Sequence, residues 1–335
     1  MAPDEPPRPP PRIVFLAGGD VELGRAMGKR LLRDPFHAPF ASVSPLLERA
    51  DVRFVNLEGP LSDQKGETMS PSNMLVFTGP PSGADALARA GITVVSTANN
   101  HAWDYGKNAA LETLAHLDRV GVAHTGTGPT LDDAWRPALV EAHGVRIAVF
   151  AVTDIWNQGP LEGHEGRNFV AQADLPRLAD AIKTVRTQVD AVLVSYHGGV
   201  EYQDMPTPRT RALLSGAIDA GADAVIGHHP HVIQGIAWHG ERPILYSLGN
   251  LLMQMHRDHP WTGFGFFARL TFVRGVAPDL AICPYRIHGL VPLLLVRDEN
   301  REALERVFFA HLRALSPGVE FGSPDPSGCS TVGSR

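Results

Sequence analysis

Short apolar segments recur along this chain, and several of them end in side chains that can bind a metal ion or move a proton. The segment 12–17 leads into Asp20 and Glu22, and the segment 52–57 is followed by Glu58. Such segments, separated by stretches of helical period, predict buried strands that alternate with helices. In folds of this α/β type, ligands bind at the carboxyl ends of the strands. Asp20 could equally serve as a helix N-cap, which is a common role for Asp after a strand.

Two further predicted strands end in Asn or His side chains. The segment 92–98 delivers Asn100 and His101, and Asp104 follows closely enough to orient the imidazole through one ring nitrogen. Another apolar strand ends at His197, directly before two glycines. A lone His in such a place is ambiguous, but its repetition at successive strand ends favours a functional site.

The densest cluster is Gly227-His228-His229-Pro230-His231, which follows the apolar segment 222–226. Three imidazoles at the end of a strand are difficult to explain by packing, although a solvated His-rich loop is the plain alternative. His is the commonest metal ligand and the side chain best suited to proton transfer near neutral pH. Imidazoles favour zinc, iron, manganese or nickel, whereas oxygen-rich coordination favours calcium, magnesium or manganese. Together the strand ends supply Asp20, Glu58, Asn100, His101, His197, His228, His229 and His231.

Composition and charge exclude several classes of protein. The 335 residues are 44% hydrophobic, enough for a large core, and a net charge of −6 without a basic run argues against nucleic acid as a partner. The chain has no run of about 18 apolar residues for a membrane span, and its Pro-rich start lacks the apolar core of a signal peptide. We therefore predict a soluble, cytoplasmic protein. Because Cys283 and Cys329 are the only cysteines, no disulfide framework is expected.

The domain prediction is one α/β domain over residues 12–315. It is flanked by disordered tails at 1–11 and 316–335, which are rich in Pro, Gly and Ser. The segments 264–272 and 281–288 alternate in polarity and predict antiparallel strands of a second sheet.

Six segments resemble motifs of the CapA family, the capsule and poly-γ-glutamate synthesis proteins related to calcineurin-like metallophosphoesterases. They follow the family's order between about residues 12 and 255, at 19–25, 56–61, 98–106, 197–202, 227–231 and 247–250. The resemblance implies a four-layer α/β/β/α sandwich of the calcineurin-like type, with a metal site at the carboxyl ends of the strands.

Two motifs depart from those usual in metallophosphoesterases. Asp20-Val21-Glu22 stands where Asp-x-His is usual, and Glu58 stands where a bridging Asp is usual. Asn100-His101 matches the Asn-His motif, but the His cluster is one residue longer than Gly-His-x-His, which leaves open which imidazoles bind metal. The departures favour one divalent ion in an oxygen-richer site. Its predicted ligands are Asp20, Glu22, Glu58, Asn100, His197, His229 and His231.

Within that family the sequence resembles the soluble epimerases of lasso-peptide biosynthesis. That resemblance implies inversion of the Cα of a C-terminal Trp in a ribosomal precursor peptide, with calcium bound and manganese or zinc as the alternatives. A cation stabilises the carbanion as an enediolate, and one imidazole acts on each face of the Cα. We predict that His101, oriented by Asp104 or Asp20, serves one face, and that His197 or a member of the 228–231 cluster such as His229, with another carboxylate, serves the other.

Two other functions stay open at this point. One is metal-dependent phosphoester hydrolysis, in which His101 protonates the leaving group. The other is a non-enzymatic role as a metal-containing subunit of a capsule or poly-γ-glutamate assembly. The predicted partner is a precursor peptide, with neither nucleic acid nor membrane as a partner, and the sequence leaves the oligomeric state open.

Overall fold

The computed structural model describes residues 10–157, 169–253, 255 and 258–334. Residues 1–9 of the predicted N-terminal tail lie outside this range. The strands are β1 (Arg12–Val21), β2 (Val52–Leu57), β3 (Val94–Ser96), β4 (Ala123–Thr125), β5 (Ala138–Ala142), β6 (Val145–Thr153), β7 (Ala191–His197), β8 (Ala224–His228), β9 (Ile236–His239), β10 (Arg242–Leu245), β11 (Asn250–Leu252), β12 (Phe264–Val273), β13 (Val276–His288), β14 (Val291–Leu294), β15 (Val319–Phe321) and β16 (Ser330–Ser334). The α-helices are α1 (Arg25–Arg33), α2 (Ser44–Leu47), α3 (Ser82–Arg89), α4 (Gly106–Arg119), α5 (Leu131–Ala134), α6 (Leu175–Val185), α7 (Pro208–Asp219) and α8 (Arg301–Leu315).

The strands form two sheets. The first has the order β15-β16-β13-β12-β1-β2-β3-β4, with β11 paired to β1 and β14 to β13, and the second has the order β5-β6-β7-β8-β10-β9. The neighbours from β1 to β4 are parallel, and so are β6, β7, β8 and β10. The carboxyl ends of these parallel strands carry the predicted site residues, as is usual in α/β folds.

Alternation of side chains along β1 explains how the layers pack. Phe15 belongs to the core between the two sheets, where it joins Leu193 of β7. Its neighbour Leu16 points to the other face and packs with helix residues that include Leu31 of α1 and Leu87 of α3. Successive strand residues point to opposite faces, so β1 contributes to two cores.

The second sheet is covered on its outer face in the same way. Val194 of β7 packs there with Leu178 of α6 and Leu214 of α7. Helices therefore lie outside both sheets, and the predicted four-layer α/β/β/α sandwich is confirmed. Within the described ranges, no helix has both the length and the apolarity required to cross a bilayer.

Two predictions about the C-terminal third are wrong. The strands predicted at 264–272 and 281–288 are antiparallel, but they extend the first sheet because β12 pairs with β1. The segment 316–335, predicted to be disordered, contributes β15 and β16, and β16 pairs with β13. Its low apolar content is offset by these backbone ladders and by burial of Val319 and Val332 in the core between the sheets.

A disulfide bond further fixes this last segment. Cys283 in β13 is bonded to Cys329, one residue before β16. Both cysteines are buried in the core between the first sheet and its helices. The sequence predicts no disulfide framework and gives no sign of this single bond, because only the sheet order brings two residues 46 positions apart in sequence onto adjacent chain segments.

Candidate metal centre

The strand registers bring the predicted site residues side by side. In the first sheet, Asp20 lies opposite both Asn56 and Asn250. In the second sheet, His197 lies opposite His228. The two rows meet across the sandwich, because Nδ2 of Asn56 lies 3.1 Å from Nδ1 of His197. One compact site thus forms between the strand ends of two different sheets.

Asp20 is fully buried at the centre of this site. Its Oδ1 accepts a hydrogen bond of 2.9 Å from Nδ2 of Asn56 and lies 3.2 Å from Nδ1 of His228. Its Oδ2 accepts a hydrogen bond of 3.3 Å from the His229 N–H and lies 3.6 Å from Nδ1 of His231. Burial alone would raise the pKa of this carboxyl, but the His228 imidazole and the other nearby imidazoles outweigh burial and hold the pKa below its usual value.

Glu58 contributes a second buried carboxylate, and neither of its oxygens has a hydrogen-bond partner among the described residues. Its Oε1 lies 3.8 Å from Nε2 of His101, 3.8 Å from Nε2 of His231 and 4.0 Å from Nε2 of His197. Burial, reinforced by the negative charge of Asp20, raises the pKa of Glu58 well above its usual value. An ionised Glu58 therefore needs a cation beside it.

His101 and Asp104 form the predicted pair. Nδ1 of His101 lies 2.8 Å from Oδ2 of Asp104, and the same oxygen accepts a hydrogen bond of 2.9 Å from the Phe77 N–H. Asp104 rather than Asp20 is thus the carboxylate that orients His101. With Nδ1 engaged, the Nε2 atom faces Glu58 and the cavity described below.

His197 is fully buried, and both of its ring nitrogens face amide groups. Nε2 lies 2.7 Å from Oδ1 of Asn100, and Nδ1 lies 3.1 Å from Nδ2 of Asn56. Burial and the neighbouring His229 imidazole hold the pKa of His197 well below its usual value. This environment fits a neutral, firmly positioned imidazole and not the substrate base that the sequence predicts.

The His229–His231 segment is held in an unusual backbone conformation. His229 has φ +97° and His231 has φ +58°, and such strain persists only where surrounding structure enforces it, often at functional sites. Nδ1 of His231 lies 2.9 Å from Oδ1 of Asn250, which leaves Nε2 directed towards Glu58. Burial lowers the pKa of His229 to about 3 and also lowers the pKa of His231. Both imidazoles are therefore neutral and can offer a nitrogen lone pair to a metal ion.

Two groups of potential ligand atoms occur among the described residues. One consists of Asp20, Glu58 and His231, and the other of Glu201, His229 and His231, with the atoms of each group within 4.8 Å of one another. The orphaned oxygens of Glu58 and the carboxylate–imidazole composition of these groups fit a divalent cation. His231 belongs to both groups.

Glu22 stands apart from both groups, although the sequence predicts it as a ligand. It is buried, and a Cβ on Gly24 would lie 2.9 Å from its Oε1. Burial raises the pKa of Glu22 to about 7 against the opposing effect of Arg25.

Gly24 is the N-cap of α1, so the alternative role of Asp20 as a helix cap is wrong.

A cavity of about 310 Å³ opens beside the centre. Its described lining residues are Arg25, Glu58, Met69, Met74, Leu75, Phe77, His101, Glu201, Tyr202, His231, Met253 and Met255. Glu58, His101 and His231 therefore connect the metal centre to a space that can admit a substrate.

Several residues of the site are not in the set predicted from the sequence. Asn56 and Asn250 stand at strand ends just as Asp20 does, so the same signal could have identified them. Glu201 lies four residues after His197, within a resembling motif. Phe77 and Arg25 give no such signal, because Phe77 lies outside the regular strands and Arg25 is positioned through its backbone hydrogen bond to Thr68.

The bacterial capsule synthesis protein PGA_cap family matches residues 14–255 of this sequence. The chain belongs to this family. It is 31% identical over 256 residues to the capsule biosynthesis protein CapA of Bacillus anthracis, which covers 75% of this chain and 61% of that protein. It is also 31% identical over 287 residues to the PGA biosynthesis protein CapA of Bacillus subtilis, which covers 85% and 74% respectively. The family prediction is confirmed, whereas these matches do not support the narrower resemblance to lasso-peptide epimerases.

A solved structure supports the fold. A proposed 5′-nucleotidase of Staphylococcus aureus, in complex with α-ketoglutarate, superposes with a TM-score of 0.50 at 15% identity, over 89% of this chain and 58% of that one. At this level of identity the similarity concerns the fold alone. The PGA_cap family member described here thus shares its α/β/β/α fold with that structure.

Proposed function

We propose that this PGA_cap protein is a metal-dependent phosphoesterase acting on an anionic organic substrate. The observation that carries the proposal is the position of Glu58. This buried carboxylate has no hydrogen-bond partner among the described residues, yet it lies 3.8 Å from an oriented imidazole, His101, at the wall of an open cavity. A carboxylate that needs a cation thus lies beside a group that can transfer a proton.

Asp20, Glu58 and His231 are the residues that would hold the ion, with Glu201 and His229 beside them. When bound, a divalent ion would supply charge stabilisation for the phosphoryl group and acidify a water molecule. The imidazole ligands favour manganese, iron or zinc, since calcium prefers oxygen ligands throughout. The calcium implied by the sequence resemblance is therefore the less suitable ion.

His101 would act as the general acid. As water forms the new bond to phosphorus and gives up one proton to solvent, the ester P–O bond breaks and the proton on Nε2 of His101 passes to the leaving oxygen; Nε2 then takes up a proton from solvent. Asp104, 2.8 Å from Nδ1, keeps the ring in the orientation that presents Nε2, and its charge stabilises the imidazolium on the way back to the acid form. Groups positioned in this way commonly contribute about 10²–10⁴-fold to the rate.

The test measures hydrolysis of an aryl phosphate monoester and an aryl phosphate diester. The protein is first freed of metal ions with a chelator and then supplied with Mn²⁺, Zn²⁺, Mg²⁺ or Ca²⁺. We expect turnover with a transition ion, loss of it in Glu58→Gln together with loss of ion binding, and loss of it in His101→Asn with ion binding retained. The control is His124→Asn, which removes a surface imidazole that pairs with Asp118. Tight ion binding without turnover of either ester would contradict the proposal and favour the non-enzymatic role in capsule or PGA biosynthesis suggested by the names of the relatives.

Peptide epimerisation is a second candidate, and one specific observation favours it. The Nε2 atoms of His101 and His231 each lie 3.8 Å from Oε1 of Glu58, and both rings line the same cavity. Two imidazoles that flank one point can in principle exchange protons with opposite faces of a Cα. His231 belongs to the 228–231 cluster to which, besides His197, the sequence assigns the second base.

The epimerase alternative is tested with lasso precursor peptides that end in Trp, incubated in D₂O with the ion-loaded protein. Epimerisation adds one deuteron at the Cα and changes the chromatographic retention of the peptide. If neither deuterium incorporation nor a change of retention occurs, this alternative is wrong. Phosphate release from the aryl esters in parallel samples would support the phosphoesterase instead.

A further inference from the structure

Phe77 lies between two functional groups of the cavity wall. Its ring centre is 4.1 Å from the Arg25 guanidinium carbon and 4.2 Å from the ring centre of His101. The ring itself is buried. Cation–π contact at this distance is favourable and fixes the plane of a guanidinium group. The stack therefore places Arg25 on the same wall as the proposed general acid.

The backbone of Arg25 is held firmly by the neighbouring segment. Its N–H donates a hydrogen bond of 2.8 Å to the Thr68 carbonyl, and the Thr68 hydroxyl donates one of 3.1 Å to the Arg25 carbonyl. Arg25 also has φ +41°, a left-handed conformation that is unusual for a residue with a long side chain. Two hydrogen bonds between Arg25 and Thr68 thus maintain a strained backbone beside the metal centre.

Arg25 forms no direct ion pair in the part of the chain that the structure describes, although its charge acts on the nearby carboxyls of Glu22 and Glu58. Its Nε is buried without a hydrogen-bond partner. By contrast, Arg119 forms a paired contact with Asp85. Among the described residues that line the cavity, Arg25 alone carries a permanent positive charge. A buried guanidinium donor without a partner is costly, which points to a ligand that completes it.

The rest of the cavity rim is apolar and rich in methionine. It consists of Met69, Met74, Leu75, Met253 and Met255. Met74 and Leu75 are 65% and 61% exposed, which is high for such side chains. Methionine adapts its shape to irregular apolar ligands. The rim adjoins the charged wall, so one ligand can contact both.

We infer that Arg25 binds the anionic group of the substrate and that the methionine-rich rim, as defined above, holds an apolar group attached to it. The substrate class is then an organic phosphate with an aryl or alkyl substituent next to the charged group. This inference rests on the proposed function for the phosphate. The planar guanidinium, fixed on Phe77, is suited to a two-point contact with phosphoryl oxygens.

The experiment measures binding of two non-hydrolysable anions, phenylphosphonate and methylphosphonate, to the Mn²⁺-loaded protein by calorimetry. Arg25→Gln is expected to weaken both anions about tenfold or more, as for loss of a charge-assisted hydrogen bond. Arg25→Lys should recover only part of this loss, because an ammonium group cannot make the two-point contact. Arg136→Gln, at a surface site paired with Asp133, is the matched control and should bind both anions as the parent protein does.

The rim is tested with the double variant Met74→Ser/Leu75→Ser. It should weaken phenylphosphonate about tenfold and leave methylphosphonate unchanged, since only the former has a phenyl group to bury. Leu139→Ser, which alters an exposed residue of β5, should affect neither. Thermal unfolding of each variant verifies that the fold is retained.

The outcomes separate this inference from the proposed function. If Arg25→Gln binds both phosphonates as tightly as the parent protein, Arg25 is not the anion contact. If the rim variant weakens both anions equally, the apolar part of the inference is wrong. Arg25-dependent phosphonate binding in a protein that hydrolyses neither aryl ester would overturn the phosphoesterase and support the anion site.

Discussion

Oδ2 of Asp104 accepts a hydrogen bond from the Phe77 N–H and lies 2.8 Å from Nδ1 of His101. The same carboxylate oxygen thereby links the His101 ring to the segment that carries the Arg25–Phe77 stack. The orientation of the proposed general acid and the position of the anion contact therefore depend on each other. A change at Asp104 should disturb proton transfer before it disturbs the metal centre.

The first prediction concerns Asp104→Asn. The amide keeps the size of the side chain but removes the charge and favours the wrong tautomer of His101, so kcat should fall about 10²-fold or more. Ion affinity should change less than twofold, because Asp104 belongs to neither group of potential ligands. Steady-state kinetics and calorimetry measure the two effects. Asp118→Asn, at an exposed site paired with His124, is the control, and a joint loss of kcat and ion affinity would show that Asp104 has a broader structural role.

The sequence identifies most of the centre because its residues follow strands directly. Asp20, His197 and the His cluster are positioned by local chain geometry, and parallel pairing brings such residues together at one edge. The roles of the individual residues within the centre could not be predicted in this way. His197 has amide partners on both ring nitrogens, and this depends on the packing of one sheet against the other. A strand pattern does not contain that information.

Residues outside the strand ends show the same limit. Phe77 reaches the cavity from an irregular segment outside the strands, and Arg25, the first residue of α1, is hydrogen-bonded to Thr68 of that segment. The terminal strands β15 and β16 have too few apolar residues to be recognised, and they are ordered through pairing with a distant strand and through the Cys283–Cys329 bond. Non-local pairing of this kind overrides composition.

The second prediction concerns the pH dependence produced by Glu22. Burial raises the pKa of Glu22 from 4.5 to about 7, so the folded state favours the neutral acid. The corresponding stability is fully present below pH 4.5, decreases as the pH rises, and is lost above about pH 7. The magnitude is at most about 3 kcal/mol, from 1.36 kcal/mol per pKa unit.

Glu22→Gln should remove this dependence. Relative to the parent protein, the variant should be of similar stability at pH 4.5 and more stable at pH 8, as measured by urea unfolding of the ion-loaded protein. Because Glu22 lies outside both groups of potential ligands, its ion affinity should be unchanged. Glu241→Gln, at an exposed position, controls for the loss of one negative charge. A large decrease in ion affinity in Glu22→Gln would restore Glu22 as a ligand.

The third prediction concerns the disulfide between Cys283 and Cys329. It closes a loop with a sequence separation of 46, for which chain entropy alone gives a stabilisation of about 4 kcal/mol. The double variant Cys283→Ala/Cys329→Ala should lower the free energy of unfolding by up to this amount. It should retain kcat at low temperature, because neither cysteine is among the described residues that line the cavity.

The state of this bond also depends on where the protein matures, since disulfides persist mainly in oxidising compartments. Protein purified from its native host is denatured without a reductant and alkylated, and its intact mass then shows whether it carries no label or two labels. Two labels on freshly isolated protein would indicate a reduced pair and agree with the predicted cytoplasmic location. No label would favour an oxidising compartment.

The fourth prediction concerns Gly227, which precedes the His cluster in β8. A Cβ at this position would lie 2.0 Å from the carbonyl oxygen of Tyr246, and backbone atoms cannot move aside as a flexible side chain can. Gly227→Ala should therefore displace the end of β8, with a loss of about 1–3 kcal/mol in stability. His228 follows directly and lies 3.2 Å from Asp20, so ion affinity should decrease as well.

Gly333→Ala in β16, where a Cβ would meet no atom within 4 Å, is the control for this prediction and should change stability by less than about 0.5 kcal/mol. Unfolding curves and ion titrations of the two variants measure these effects, and parent-like ion binding by Gly227→Ala would show that the centre tolerates displacement of this strand.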